Sequence, residues 1–170
     1  MGKFKLILIY LVVVAGFVGI GFWLFEGSEK PPQDLPGTAF EIQGQEHIAE
    51  GSTDHPAYNS NPPTSGWHWP APAAWGIYKV RQPDERLIHN LEHGGIWIAY
   101  KPDQVDQDTI NRLNDFASRY AKIIVEPREM NDTRISLAAW GHMQNLESFD
   151  ESAILKFIQA YYDQGPEKVR

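Results

Sequence analysis

Apolar positions fall along this chain in three distinct regimes. The first is an unbroken apolar run over residues 6–25, in which Tyr10 is the one ionisable side chain. As a helix rising about 1.5 Å per residue, that run spans roughly 30 Å, the thickness of a bilayer's hydrocarbon core. Lys3 and Lys5 precede it, while Glu26, Glu29 and Lys30 follow. The positive-inside rule then predicts a single-span membrane helix over residues 1–26 with its N-terminus in the cytoplasm. A cleaved signal is the competing reading. Against it, the run is longer than the hydrophobic region of such a signal, and Phe22-Trp23-Leu24-Phe25 lacks the small residues of a cleavage site. The remaining chain is thereby expected outside the cytoplasmic membrane, facing the periplasm or the cell exterior.

The second regime is broken up by proline. Ten of the twelve prolines fall between Pro31 and Pro102, and proline removes backbone donors and bars helix interiors. Residues 27–40 read as a stiff, extended linker. Beyond them, long Pro-rich ordered loops are expected, with short strands such as residues 75–80.

The third regime is regular. Residues 87–93 can make two helical turns ended by Gly94-Gly95, and residues 96–100 have the β-branched and aromatic character of a buried strand. Ile110, Leu113, Phe116, Ala117 and Tyr120 recur at intervals of three and four, which predicts an amphipathic helix over 106–120. Residues 123–125 and 134–140 read as strands. Ser148 with Glu151 makes a capping box ahead of a last helix carrying Ile154, Phe157, Ile158 and Tyr161 on one face. The order strand, helix, strand, strand, helix predicts one small soluble α+β sandwich over residues 41–170, with helices over a sheet.

Composition narrows the chemistry. With no cysteine, disulfides, thiol nucleophiles, iron–sulfur clusters, cysteine-based zinc modules and blue-copper centres are excluded. The net charge of −7 is an average: beyond residue 25 there are 13 basic against 22 acidic residues, or −9. Such a surface argues against a nucleic-acid partner, which needs clustered Lys and Arg. Phosphate-binding glycine loops, the GxSxG elbow and HExxH are all absent. Histidine, carboxylate and methionine remain as candidates for metal or acid–base chemistry.

Three segments concentrate them. In His89-Asn90-Leu91-Glu92-His93-Gly94-Gly95, helical spacing puts His89 and His93 one turn apart on one face, with Glu92 beside that face. Two histidines capping a helix end are the plain alternative. The loop Tyr58 to Pro70 holds His68 between Trp67 and Trp69, which either shield an imidazole from water or plug the loop onto the core. The third segment, Ala138 to Met143, ends in His142 and Met143, a pairing of imidazole and thioether suited to copper. Met130 is the other methionine beyond the anchor, and His47 and His55 lie in the early loops.

Taken together, the PPTSG core leading to His68, the strand Gly76-Ile77-Tyr78, the block His89 to Gly94 read as HxLEHG, and Ala139-Trp140-Gly141 resemble the bacterial membrane-anchored family catalogued as domain of unknown function 3105. The likeness runs from about His47 to Pro166. It implies no activity, but it marks His68, His89, Glu92, His93 and His47 as recurring motif positions, whereas His142 stands where members vary.

Three functions are open at this point. The first is a membrane-tethered metal-binding protein, with copper ahead of zinc, used in copper delivery to or from a protein partner or in homeostasis. His68, His89 and His93 would hold the ion, Met130 or Met143 would add a soft ligand, and Glu92 would orient an imidazole. His47 and His142 are further candidate ligands. The second is a metal-dependent enzyme with Glu92 as general base. The third is a non-catalytic interaction module in which the histidines are structural.

Overall fold

A computed structural model of the chain describes residues 35–167, together with Gly2. The predicted membrane helix and most of the predicted linker lie outside the described residues. Among the described residues, no helix is long and apolar enough to cross a membrane.

The described chain is a small α+β domain built on one mixed six-stranded sheet and three helices. In chain order these are β1 (Thr38–Ala39), β2 (Gly76–Ile77), α1 (Asp84–Glu92), β3 (Ile96–Tyr100), α2 (Gln107–Arg119), β4 (Ile123–Pro127), β5 (Ile135–Ala139), β6 (His142–Leu146) and α3 (Glu151–Tyr161). The strands lie in the order β1-β6-β5-β3-β4-β2. β3, β4 and β2 run parallel, while β5 and β6 join as an antiparallel hairpin on the other side of β3.

β3, β4 and β5 are buried along their whole length, because both faces of the sheet are covered. On one face Ile96, Ile98, Ile123, Val125, Ile135 and Leu137 meet Leu113 and Phe116 of α2 and Ile154, Phe157 and Ile158 of α3. On the other, Trp97, Ala99, Ile124 and Ala138 meet Leu87 and Leu91 of α1, with Ala73 and Trp75 from the Pro-rich loop. Alternation at period two divides each strand between the faces. At about 1.5–3 kcal/mol per fully buried large apolar side chain, these two layers supply the main driving force of the fold.

Several boundaries differ from the sequence expectation for identifiable reasons. α1 starts one turn earlier, at Asp84, where Pro83 has a φ of −59° and Asp84 and Glu85 supply charge suited to a helix N-terminus. The N-cap of α3 is Asp150, whose side chain accepts from the Ala153 N–H, in place of the expected Ser148. β1 falls within the stretch expected to be linker, and pairs Thr38 and Ala39 with Met143 and His142. The expected α+β arrangement of helices over one sheet takes the form of a sheet covered on both sides: α2 and α3 on one, α1 and the Pro-rich loop on the other.

Between residues 40 and 75 the backbone is irregular and held by specific hydrogen bonds. Ile48 N–H donates to the His68 carbonyl and His68 N–H to the Glu46 carbonyl, which fixes His47 beside His68 as a parallel bridge. Trp69 N–H donates to the Glu85 carbonyl and ties the loop to the first turn of α1.

Candidate metal centre

α1 presents His89 and Glu92 to the Pro-rich loop, and the bridge between residues 47 and 68 brings two more imidazoles against them. One ligand atom from each of His47, His68, His89 and Glu92 lies within 4.8 Å of the other three. The imidazole centroids of His47 and His68, of His47 and His89, and of His68 and His89 are 4.8, 5.1 and 5.1 Å apart. His68, His89 and Glu92 are buried, whereas the His47 side chain is 47 % exposed. The group therefore has a closed floor and one open edge.

Hydrogen bonds fix the tautomers of the two buried rings. His68 Nδ1 lies 2.8 Å from the Gly66 carbonyl, and His89 Nδ1 lies 2.8 Å from the Trp69 carbonyl. A carbonyl only accepts, so each Nδ1 carries the hydrogen, and in the neutral ring each Nε2 presents a lone pair. His68 Nε2 is 3.0 Å from Glu92 Oε2, and His89 Nε2 is 3.1 Å from His93 Nε2. A lone pair facing a carboxylate oxygen at that distance needs a proton, on either group, or a metal ion between them. A proton on His68 is one candidate; burial, with the neighbouring His89 and His47, lowers its pKa from the ordinary histidine value, against the opposing hydrogen bond to Gly66 and the charge of Glu92. A metal ion shared by both groups is another. Two ligands about 2.0–2.1 Å from one ion, separated by 90–110°, stand about 2.9–3.4 Å apart; His68 Nε2 and Glu92 Oε2 meet that spacing, while His47 Nε2 stands 3.9 Å from Glu92 Oε2.

His93 caps α1 and belongs to an adjoining group. His89, Glu92, His93 and Glu167 again place ligand atoms within 4.8 Å of one another. His93 Nε2 is 3.2 Å from Glu167 Oε2, and burial followed by the nearby His89 lowers its proton affinity. Glu167 arrives through the C-terminal tail, where Asp163 N–H donates to the Gly94 carbonyl and Glu167 N–H to the Glu92 carbonyl. Gly94 has a φ of +79°, and a Cβ there would lie 2.7 Å from Asp163 Cα; at Gly165 a Cβ would collide with the Glu92 carbonyl. These two glycines are what let the tail close over the end of α1.

The structure thus brings together His47, His68, His89, Glu92 and His93 from the candidate ligands. It adds Glu167, for which no motif or periodicity gave a signal. His142 stands elsewhere: it pairs with Ala139 in the sheet and stacks on Tyr161 at 4.3 Å, on the α2/α3 face. Met130 follows Arg128 in a half-exposed turn, where its carbonyl accepts from Asn61. Arg128 in turn bonds Asp84, so this turn belongs to the N-terminal end of α1, away from the histidines at its C-terminal end. Met143 is buried in β6 opposite Ala138, on the α1 face. Trp69 is buried, its indole donating to the Ser52 carbonyl, and Trp140 stands edge-on to His68 at 6.4 Å. The Trp69 indole anchors the loop, and its backbone carbonyl orients His89.

The family described as "Protein of unknown function (DUF3105)" matches residues 51–170, and the chain belongs to that family. No curated protein and no solved structure matches it.

Proposed function

We propose that this protein is a membrane-tethered, extracytoplasmic metal-binding protein, its ion held by His47, His68, His89 and Glu92. The observation that carries this reading is the pair of buried imidazoles whose Nδ1 hydrogens are committed to backbone carbonyls, leaving the Nε2 lone pair of His68 beside Glu92 and that of His89 beside His93, in one group of closely spaced donors. Outer hydrogen bonds of this kind orient metal-binding histidines and raise their basicity. The half-exposed His47 favours an exchangeable ion, and so a role in metal delivery or homeostasis, over a permanently enclosed one.

Copper is proposed ahead of zinc. Imidazole and carboxylate suit both ions, and divalent copper leads the affinity order at such donors. Met143 is the thioether buried on the α1 face of the sheet, while the exposed Met130 lies at the other end of α1. The test is calorimetric titration of metal-stripped full-length protein with copper(II) and zinc(II), beside the double variant His68→Ala, His89→Ala. Saturable binding lost in the variant is expected; equal binding by both proteins contradicts the reading.

A further inference from the structure

Six side chains surround the C-terminal half of α1, more than the four that hold a tetrahedral ion. Their donor atoms fall into two sets, His47, His68, His89 and Glu92 in one and His89, Glu92, His93 and Glu167 in the other. Ligands about 2.0–2.1 Å from one ion stand no more than about 4.2 Å apart, so each set is close to the span of one ion. The sets overlap at His89 and Glu92. His89 has one free nitrogen, since its Nδ1 is committed to Trp69, and can serve one ion. Glu92 has two oxygens and can serve both.

We infer that this is a two-ion centre in which the Glu92 carboxylate bridges a pair of divalent transition-metal ions, a deepening that rests on the metal-binding reading above. His47 and His68 hold the first ion. His93 and Glu167 hold the second, and His89, 3.1 Å from His93 through its Nε2, completes one of the two. Two carboxylates and four imidazoles match a pair of divalent ions in donor type, and carboxylate-bridged pairs place their ions about 3.5–4 Å apart. The tail position supports this assignment. Gly94 and Gly165 are needed for the close approach that delivers Glu167 to His93, and an isolated exposed ion pair would contribute only about 0–1 kcal/mol to stability.

The experiment loads detergent-solubilised, tag-free full-length protein with zinc(II) or copper(II), removes excess ion, and measures metal per chain in wild type and Glu167→Gln. Glu167 is 57 % exposed on its side chain, so the variant is expected to fold, as circular dichroism will check. Two ions per wild-type chain, falling to one in Glu167→Gln, are expected, with the copper(II) resonance of the wild type diminished by coupling between neighbouring ions. One ion in both proteins overturns the two-ion centre and leaves the metal-binding reading intact. Two ions in both place the second ion elsewhere and also overturn it. No ion in either overturns the metal-binding reading itself.

Discussion

His68 Nε2 lies 3.0 Å from Glu92 Oε2, joining the Pro-rich loop to the last turn of α1 inside the protein. The two residues are 24 positions apart, and the contact forms because the loop is held on one side by Glu46 and Ile48 and on the other by Glu85. If a cation occupies this contact, removing the carboxylate charge exposes the need for it. Glu92→Gln should retain the fold and weaken copper(II) binding at least tenfold, as judged by competition with a chelator of known affinity. Unchanged affinity would remove Glu92 from the site.

At the other end of α1, Arg128 is 2 % exposed and forks onto Asp84, with Nη2 2.7 Å from Oδ2 and Nε 3.2 Å from Oδ1. Asn61 and Asn131 accept from its third nitrogen. Removing Arg128 leaves Asp84 with the part-exposed Arg81 alone and takes the donor from Asn61 and Asn131, so Arg128→Ala should cost up to about 3–5 kcal/mol in urea unfolding. A loss below 1 kcal/mol would mean that the pair relaxes into water.

Glu126 is fully buried on β4, with Oε2 accepting from the Gln82 N–H and Oε1 without a partner among the described residues. Burial raises its pKa to about 8, helped by Asp84 and opposed by the Gln82 N–H and Arg128. The folded protein therefore keeps this proton over a range where the unfolded chain, ionising near the ordinary carboxylate value of about 4.3, has lost it. Stability should fall between about pH 4.5 and 8, and level off above. Glu126→Gln should be the more stable protein at pH 8, by a few kcal/mol, and nearly equal to wild type near pH 4.5. Parallel pH–stability curves for the two proteins would refute the assignment.

Gly94→Ala puts a Cβ 2.7 Å from Asp163 Cα at a backbone φ of +79°. The conformation alone costs an L-residue about 1–2 kcal/mol, and the clash pushes the tail away. The variant should unfold at lower urea, and hydrogen exchange should speed up at the Asp163 and Glu167 amides that bond Gly94 and Glu92. Unchanged exchange there would show that the tail does not depend on this glycine.

The layout of the core was legible because burial repeats with a period. Leu113 and Phe116 in α2, and Ile154, Phe157 and Ile158 in α3, are the buried positions that their spacing marks. β6 escaped because it reads His142-Met143-Gln144-Asn145-Leu146, a half-buried, polar strand specified by its partner β5. β1, at two residues, is too short to carry any pattern, whereas β2, also of two residues, falls within the short strand expected over 75–80. In the candidate site, His89 and His93 were legible from helical spacing, His68 from its place between Trp67 and Trp69, and His47 through family likeness. Their meeting depends on two backbone hydrogen bonds between distant loops. Glu167 had no local signal, since its place is set by how closely Gly165 approaches α1.

The central claim, that these histidines and Glu92 hold a metal, is tested most directly by elemental analysis of untagged full-length protein purified from its native compartment without chelators. At least one equivalent of copper or zinc per chain is predicted, and its loss in His68→Ala, His89→Ala. Metal-free protein that also takes up neither ion on reconstitution would contradict it.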